Sequence, residues 1–292
     1  MDNMITCAIQ PIGGLGNQMF MIFANIAYSI KNKLLFTIIA SSSNQRKYYW
    51  NTFLKEFKPR PSNYIYPYTA RYHEISYKFS PIPSFNNLRV CNVLLSGYYQ
   101  SYKYFENEWD EICEKYFKID NLYLDLSQNY INSLRCKNSN NKIVGIHFRL
   151  GDYLNLSHYH YVQPVDYYLN AVKKLNELDD SFKKYLIVCE KGDVEYIKEN
   201  YKLLFDYIND CRMEYVFIDF ALEDYIQMLA MSYCDSLIIA NSTFSWWSAW
   251  FLFKRNSGNC IIIRPDIWFN KDGAEKDKLD QTDLCPREWI CI

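Results

Sequence analysis

The order of apolar and polar positions predicts a βαβ unit at the start of the chain. Ile5–Ile9 and Leu35–Ile39 are short apolar runs, which predict strands. Between them, after a glycine-rich turn, apolar residues recur every three or four positions over Asn17–Lys31, as on one face of a helix. Strand, helix and strand in this order indicate an α/β layer architecture.

The pattern weakens between residues 41 and 95 and then becomes regular again. The weak region holds five of the nine prolines and is rich in aromatic and basic side chains, so it is predicted to be irregular. A strand is predicted at Val93–Ser96, and helices at Trp109–Tyr116 and Ser127–Leu134.

From Lys142 onward strands and helices alternate. Strands are predicted at 142–148, 185–189, 213–218, 236–240 and 261–264, and helices at 167–178, 194–201, 222–233 and 245–254. This alternation favours a doubly wound parallel sheet. The polar stretch 135–142 is a candidate linker. The sequence therefore predicts an N-terminal α/β domain at 1–137 and a second α/β domain at 138–292, and leaves open that the C-terminal tail packs back on the first domain. A ligand cleft is expected between them, at the carboxyl ends of the strands.

Composition narrows the class of protein. The 292 residues are 49% hydrophobic, which excludes a disordered chain, and 32 basic against 33 acidic residues argue against general nucleic-acid binding. The sequence contains no C-x-x-C pair, so a zinc site is not expected. The cysteines, Cys285 and Cys291 included, are expected to be free thiols. Without a visible signal peptide or a long apolar run, we expect a cytoplasmic protein with no transmembrane segment.

Three loops carry candidate chemistry. The first, Gly13–Gln18, joins a strand to a helix, and its glycines allow close approach of a ligand, although a plain turn is an equally good interpretation. The second, His147–Tyr153, follows an apolar strand. Its Arg149 can bind two phosphate oxygens, with Asp152 orienting it, or Arg149 and Asp152 can form a structural ion pair beside a buried His147.

The third loop, Asn241–Trp247, again joins a strand to a helix, with Ser245 as the expected N-cap. Small hydroxyls and N–H groups at a helix N-terminus suit an anion, whereas at least two of Trp246, Trp247 and Trp250 are expected in the core. Two anion-suited loops and a glycine-rich turn suggest a diphosphate, as in a nucleotide-sugar.

These three motifs together resemble the bacterial and animal α-1,2-fucosyltransferases of glycosyltransferase family 11. The matching stretches are GGLGNQMF at 13–20, HFRLGDY at 147–153 and NSTFSWW at 241–247, in the family's order and spacing, followed by IIRP at 262–265. The resemblance implies a GT-B-like fold of two Rossmann-like domains, with domain 1–137 on the acceptor side and domain 138–292 binding the donor. It implies inverting transfer of L-fucose from GDP-fucose to a galactose 2-hydroxyl, without a metal or other cofactor.

The resemblance also assigns roles to individual residues. Arg149 matches the phosphate-binding arginine, with Asp152 and His147 as further candidate catalytic residues. The implied donor contacts are Gly14, Gly16, Asn17, Asp193, Asn241, Ser242, Thr243, Phe244 and Ser245. Two positions depart from the family. Leu150 stands where a second arginine is usual, and Cys189–Asp193 replaces a loop with two adjacent aspartates, so that Asp193, Glu223 and Asp224 remain as candidate carboxylates for guanine.

The partners expected from this resemblance are GDP-fucose and a galactose-terminated glycan, which a lipid carrier could present at the inner face of a membrane during surface-glycan or O-antigen synthesis. The Tyr-rich 45–110 stretch falls where the acceptor is expected. Two alternatives stay open: a transferase of the same fold with another nucleotide-sugar or linkage, and a non-catalytic glycan-binding protein.

Overall fold

The computed structural model describes residues 5–40, 46–61, 70–85, 92–135, 142–156, 158, 160–270 and 280–292. The chain divides into two compact units. The first comprises Met1–Ile119 with Asp277–Pro286, and the second comprises Asp120–Lys276 with Arg287–Ile292.

The first unit contains a four-stranded parallel sheet in the order β2-β1-β4-β3. Its strands are β1 (Thr6–Ile9), β2 (Leu35–Ile38), β3 (Ala70–His73) and β4 (Asn92–Ser96), and its helices are α1 (Leu15–Asn32) and α2 (Trp109–Lys115). Aromatic rings on α1 pack edge-to-face with rings from the segment after β4, for example Phe23 with Trp109 at 5.4 Å between centroids. This packing forms the core on one face of the sheet.

The second unit contains a six-stranded sheet in the order β10-β9-β8-β5-β6-β7, and all of its pairings are parallel. Its strands are β5 (Lys142–His147), β6 (Phe182–Val188), β7 (Glu214–Phe217), β8 (Ser236–Ile238), β9 (Ile261–Arg264) and β10 (Ile290–Cys291). Its helices are α3 (Asn121–Leu134), α4 (Asp152–Asn155), α5 (Val165–Leu178), α6 (Val194–Asn200), α7 (Lys202–Asp210), α8 (Asp224–Ser232) and α9 (Thr243–Arg255).

The division between the units falls earlier than the predicted linker. Helix α3, which the sequence placed before the boundary at 137/138, packs against α8 of the second unit. The Ser127 hydroxyl donates to the Ile226 carbonyl, and the rings of Tyr123 and Tyr225 lie 4.9 Å apart. Most of the predicted linker, residues 136–141, lies outside the described residues.

Strand β5 is the central element of the second sheet. It lies between β6 and β8, and its residues Ile143–His147 are buried. Gly145 leaves room for Leu237, whose Cδ2 would come within 2.7 Å of an added Cβ. Because parallel strands end on the same edge, the loops that follow β8, β5 and β6 emerge side by side.

Candidate functional site

Three loops of the second unit meet at the carboxyl ends of β8, β5 and β6. The loop after β5 contacts the loop after β6 through Arg149 and Glu190, and it contacts the loop after β8 through Tyr153 and Asn241. We call this group of loops the second-unit edge. It contains nine of the predicted site residues, namely His147, Arg149, Asp152, Asp193, Asn241, Ser242, Thr243, Phe244 and Ser245.

Arg149 lies between two carboxylates. Its Nη2 donates to Asp152 Oδ1 at 2.5 Å, and its Nη1 donates to Glu190 Oε1 at 2.7 Å. Glu190 is 60% exposed, whereas Arg149 is 21% exposed. The Arg149–Asp152 ion pair that the sequence left as one interpretation is therefore present. Both terminal nitrogens face acidic oxygens, so the guanidinium is held in one orientation at the surface.

The ring of Tyr153 packs against the guanidinium of Arg149. The guanidinium lies 4.9 Å from the centre of the Tyr153 ring, and that ring also stacks on His160 at 3.9 Å with an interplanar angle of 5°. The Tyr153 hydroxyl donates to the Asn241 carbonyl at 3.2 Å. This side chain therefore ties the arginine to the loop after β8, a role that nothing in its spacing predicted.

Asp193 braces the turn that carries Arg149. Its carboxylate accepts the Gly151 N–H at 3.2 and 3.3 Å, and burial is the main cause of a pKa above the usual range. Gly151 has φ +41°, and an added Cβ would come within 3.1 Å of Glu190 Oε2. In this structure Asp193, one of the three candidate carboxylates for guanine, is thus engaged with the backbone.

His147 is buried, and its ring stacks on Phe244 with centroids 5.3 Å apart. Burial, with a smaller contribution from the positive charge of Arg149, lowers the pKa of His147 to about 3. Its Nδ1 has no hydrogen-bond partner among the described residues. An imidazole with so low a pKa is a poor general base at neutral pH, because its protonated form is strongly disfavoured there.

The loop after β8 leads directly into α9. The prediction of Ser245 as the N-cap is wrong, because the helix begins at Thr243. The cap is Ser242, whose Oγ accepts the Phe244 N–H at 3.3 Å. Ser245 lies inside the first turn, where its buried hydroxyl donates to the Ala240 carbonyl. Asn241 Nδ2 donates to the carbonyls of Tyr161 and Trp268, both at 2.7 Å.

The tryptophans after this loop belong to the core, which confirms the prediction for at least two of them. Trp246, Trp247 and Trp250 are at most 2% exposed, and Trp246 also packs on Trp289 at 5.5 Å. Leu150, which replaces a second arginine of the motif, is likewise buried, in the core beside Phe148 and Tyr168. In this chain that position contributes packing to the edge rather than charge.

The glycine-rich turn of the first unit stands at the carboxyl end of β1. Gly14 is the N-cap of α1 and provides no side-chain cap, and a Cβ added there would meet no described atom within 4 Å. Gly16 is buried in the first helical turn, and Asn17 is half-buried. The Asn17 Oδ1 accepts a hydrogen bond of 3.0 Å from Gln100 Nε2, in the loop after β4.

Arg149 is fixed between parallel-strand loops, and Tyr153 connects it to the loop that leads into the N-terminus of α9. Such an arrangement is suited to the phosphates of a nucleotide-linked substrate. The fold is that of the GT-B-like glycosyltransferases. A solved structure of NodZ α-1,6-fucosyltransferase, co-crystallized with GDP, superposes with a TM-score of 0.50 at 10% identity, covering 84% of this chain and 92% of that chain. The family model of glycosyl transferase family 11 matches residues 6–292, so the chain belongs to this family.

Two curated relatives from Escherichia coli match nearly the whole chain. One is named alpha-1,2-colitosyltransferase and is 28% identical over 302 residues, which is 96% of each chain. The other is named O-antigen biosynthesis glycosyltransferase WbnK and is 26% identical over 309 residues, covering 92% of this chain and 96% of its own. Within the part of the chain that the structure describes, no helix is both long enough and apolar enough to span a membrane.

Proposed function

We propose that the protein transfers L-fucose from GDP-fucose to the 2-hydroxyl of a terminal galactoside, with inversion and without a metal. Membership of family 11 supports the transferase class. The single observation that carries the donor assignment is the oriented guanidinium of Arg149, which Tyr153 connects to the loop that leads into α9. A fixed guanidinium and a helix N-terminus both favour a diphosphate.

Arg149 stabilises the leaving group in this proposal. As the bond between the fucose C1 and the β-phosphate oxygen lengthens, negative charge grows on the diphosphate and positive charge on the sugar ring. A guanidinium already held by Asp152 and Tyr153 needs little reorganisation to neutralise that charge. The helix dipole of α9 and the half-exposed Thr243 contribute in the same direction. Gly14, Gly16 and Asn17 remain predicted donor contacts.

The acceptor oxygen attacks the opposite face of C1 and loses its proton late in the step. His147 is unsuited to accept that proton, because its pKa is lowered to about 3 by burial. Asp152 remains a candidate that also positions Arg149, with its Oδ1 bonded to the guanidinium. GDP leaves with the bonding electron pair, and the acceptor proton passes to a base or to water.

Colitose is the second candidate donor sugar, because a relative at 28% identity carries that activity in its name. Colitose is fucose without the 3-hydroxyl, so the two donors would share the diphosphate contacts and differ only at the sugar. The name of WbnK supports an acceptor in O-antigen synthesis, and we propose that the protein acts in the cytoplasm or at the inner face of a membrane.

The test has two stages. Thermal-shift titration is expected to show stabilisation by GDP and none by UDP, with or without EDTA. GDP-fucose and GDP-colitose are then offered with a panel of β-galactosides, and the product linkage is read by NMR. Stabilisation by UDP would overturn the donor assignment. Glycan binding without release of GDP would favour a non-catalytic protein.

A further inference from the structure

A half-buried glutamate at the carboxyl edge of the first sheet has no role in the chemistry above. Glu74 follows β3 directly, and its N–H donates to the carbonyl of Ser96 at the end of β4. Its Oε2 accepts two consecutive backbone N–H groups, from Tyr98 at 2.7 Å and from Tyr99 at 2.8 Å. Its Oε1 is buried and has no hydrogen-bond partner in the described parts of the chain.

The turn that Glu74 holds is conformationally demanding. Gly97 has φ +146°, and a Cβ there would collide with the Cβ of Glu74. Tyr99 has φ +51°, which is uncommon for a bulky residue, and its side chain is completely buried. Conformations of this kind persist only where surrounding contacts determine them, and they are frequent in functional loops. The two bonds to Glu74 are such contacts.

The same turn reaches the glycine-rich motif. Gln100 is 6% exposed, and its Nε2 donates to Asn17 Oδ1 at 3.0 Å. Because this bond uses the amide oxygen of Asn17, it decides which way the amide is turned. The next residue, Ser101, is also fixed, since its hydroxyl donates to the Asp283 carbonyl at 2.6 Å. The loops after β3, β4 and β1 therefore form one connected polar assembly.

We propose that Glu74 is a positioning residue, which clamps the Gly97–Gln100 turn so that Gln100 orients the side-chain amide of Asn17 in the glycine-rich turn of the first unit. The inference rests on the proposed function in one respect: a donor must contact the glycine-rich turn. The clamp itself is independent of that assumption.

Glu74 can also make this assembly respond to pH. Burial raises the pKa of Glu74 to about 7, against the opposing effect of the two backbone N–H groups. The ionisable groups that face it are the hydroxyls of Tyr99 and Tyr104, whose pKa values burial raises well above the usual range, and Tyr72, which lies beside both. The tyrosines with raised pKa stay neutral near pH 7, whereas Glu74 gains its charge there and then accepts the two N–H groups more strongly.

The experiment follows the backbone amides of Tyr98 and Tyr99 and the side-chain amide of Asn17 by ¹H–¹⁵N NMR between pH 5.5 and 8.5. In the wild-type protein all three are expected to shift with one midpoint near 7, as set by Glu74. In Glu74→Gln, which keeps an acceptor for both N–H groups but cannot ionise, the shift is expected to vanish. In Gln100→Leu the tyrosine amides still titrate, whereas Asn17 no longer does.

Two controls separate this clamp from other causes. Glu108→Gln removes another first-unit carboxyl with a raised pKa, at the start of α2, and should leave the titration unchanged. His73→Gln removes the exposed imidazole that precedes Glu74 in the chain, and it should also leave the Asn17 titration unchanged.

Donor kinetics complete the test. The dependence of KM for GDP-fucose on pH should flatten in Glu74→Gln, and kcat at the optimum should stay within about threefold, since the two N–H bonds are kept. Persistence of the Asn17 titration in Glu74→Gln, or an unchanged KM profile, overturns the inference. If wild-type protein binds no GDP, the proposed function fails, while the NMR titration still decides whether the clamp exists.

Discussion

The two carboxyl edges of this molecule are built from different chemistry. At the second-unit edge a guanidinium lies between the carboxylates of Asp152 and Glu190, and stacked rings support it. At the edge of the first sheet the contacts are amides and backbone groups, with Glu74 as the half-buried acid among them. The shape of the first edge therefore depends on backbone conformation, and the properties of the second depend on side-chain charge. Each edge should fail under a different kind of substitution.

The largest expected effect is on the charged edge. Arg149→Lys keeps the charge but loses the planar pair of donors, so turnover of GDP-fucose should fall on the order of 100-fold. Steady-state kinetics and GDP titration calorimetry measure the change.

Arg135→Lys is the matched control for that substitution. Arg135 makes two bonds to Asp235, at 2.8 and 3.1 Å, where β8 begins rather than where it ends. Its replacement should leave turnover unchanged. Equal losses in the two variants would contradict the role given to Arg149.

The first edge should instead be sensitive to backbone changes. Gly97→Ala puts a Cβ against Glu74 at a positive φ, and the free energy of unfolding should fall by about 1–3 kcal/mol. Gly14→Ala, at an open position in the glycine-rich turn, should cost no more than about 1 kcal/mol. Urea unfolding measures both. A similar loss in the two variants would mean that the Gly97 turn is not under the constraint described.

The two edges should also respond to pH with opposite signs. Folding raises the pKa of Glu74 from an ordinary 4.5 to about 7, so the stability it contributes is present below 4.5 and is lost as pH rises through 7. The pKa of His147 falls from 6.5 to about 3, so stability is lost as pH falls below 6.5. Each slope is at most about 1.4 kcal/mol per pH unit.

Unfolding curves between pH 5 and 8 test those signs. The stability difference between wild type and Glu74→Gln should shift in favour of the variant as pH rises. The difference between wild type and His147→Gln should shift in favour of the variant as pH falls. If the two stability differences changed with pH in the same direction, the burial described for Glu74 or for His147 would be contradicted.

The smallest predicted effect is a gain of affinity. Glu190 occupies one of the Arg149 donors that a diphosphate would use, and an exposed ion pair is weak, so Glu190→Gln should tighten GDP binding about two- to fivefold. Calorimetry at low and high salt measures this. A loss of affinity would indicate that Glu190 contacts the nucleotide directly.

The sequence predicted the elements whose apolar runs are uninterrupted. Strand β5 and helix α1 occur within a few residues of their predicted limits. Strand β3 was missed, because Ala70–His73 contains no apolar run and alternates between half-buried and exposed positions. Helix α7 was also missed, since its start continues from α6 with only Tyr201 between them.

The candidate site was predicted by motif, and its internal contacts were not. Arg149 could be selected because a cation after a buried strand suggests a ligand. Glu74 bonds to Tyr98, which is 24 residues away in the chain, and Gln100 bonds to Asn17, which is 83 residues away. No local sequence pattern predicts pairs so far apart. The direction of Leu150 into the core is likewise set by the packing of β5.

The path of the chain has a consequence for its synthesis. Residues 280–286 complete the first unit: Lys103 forms an ion pair with Asp283, and Lys78 forms one with Asp280 at 3.3 Å. Strands β5 to β9 are all translated between these partners. During translation of the second unit, the first unit therefore lacks the contacts that Asp280 and Asp283 supply. Its final folding step is a late, long-range closure, which should be slow and exposed to chaperones.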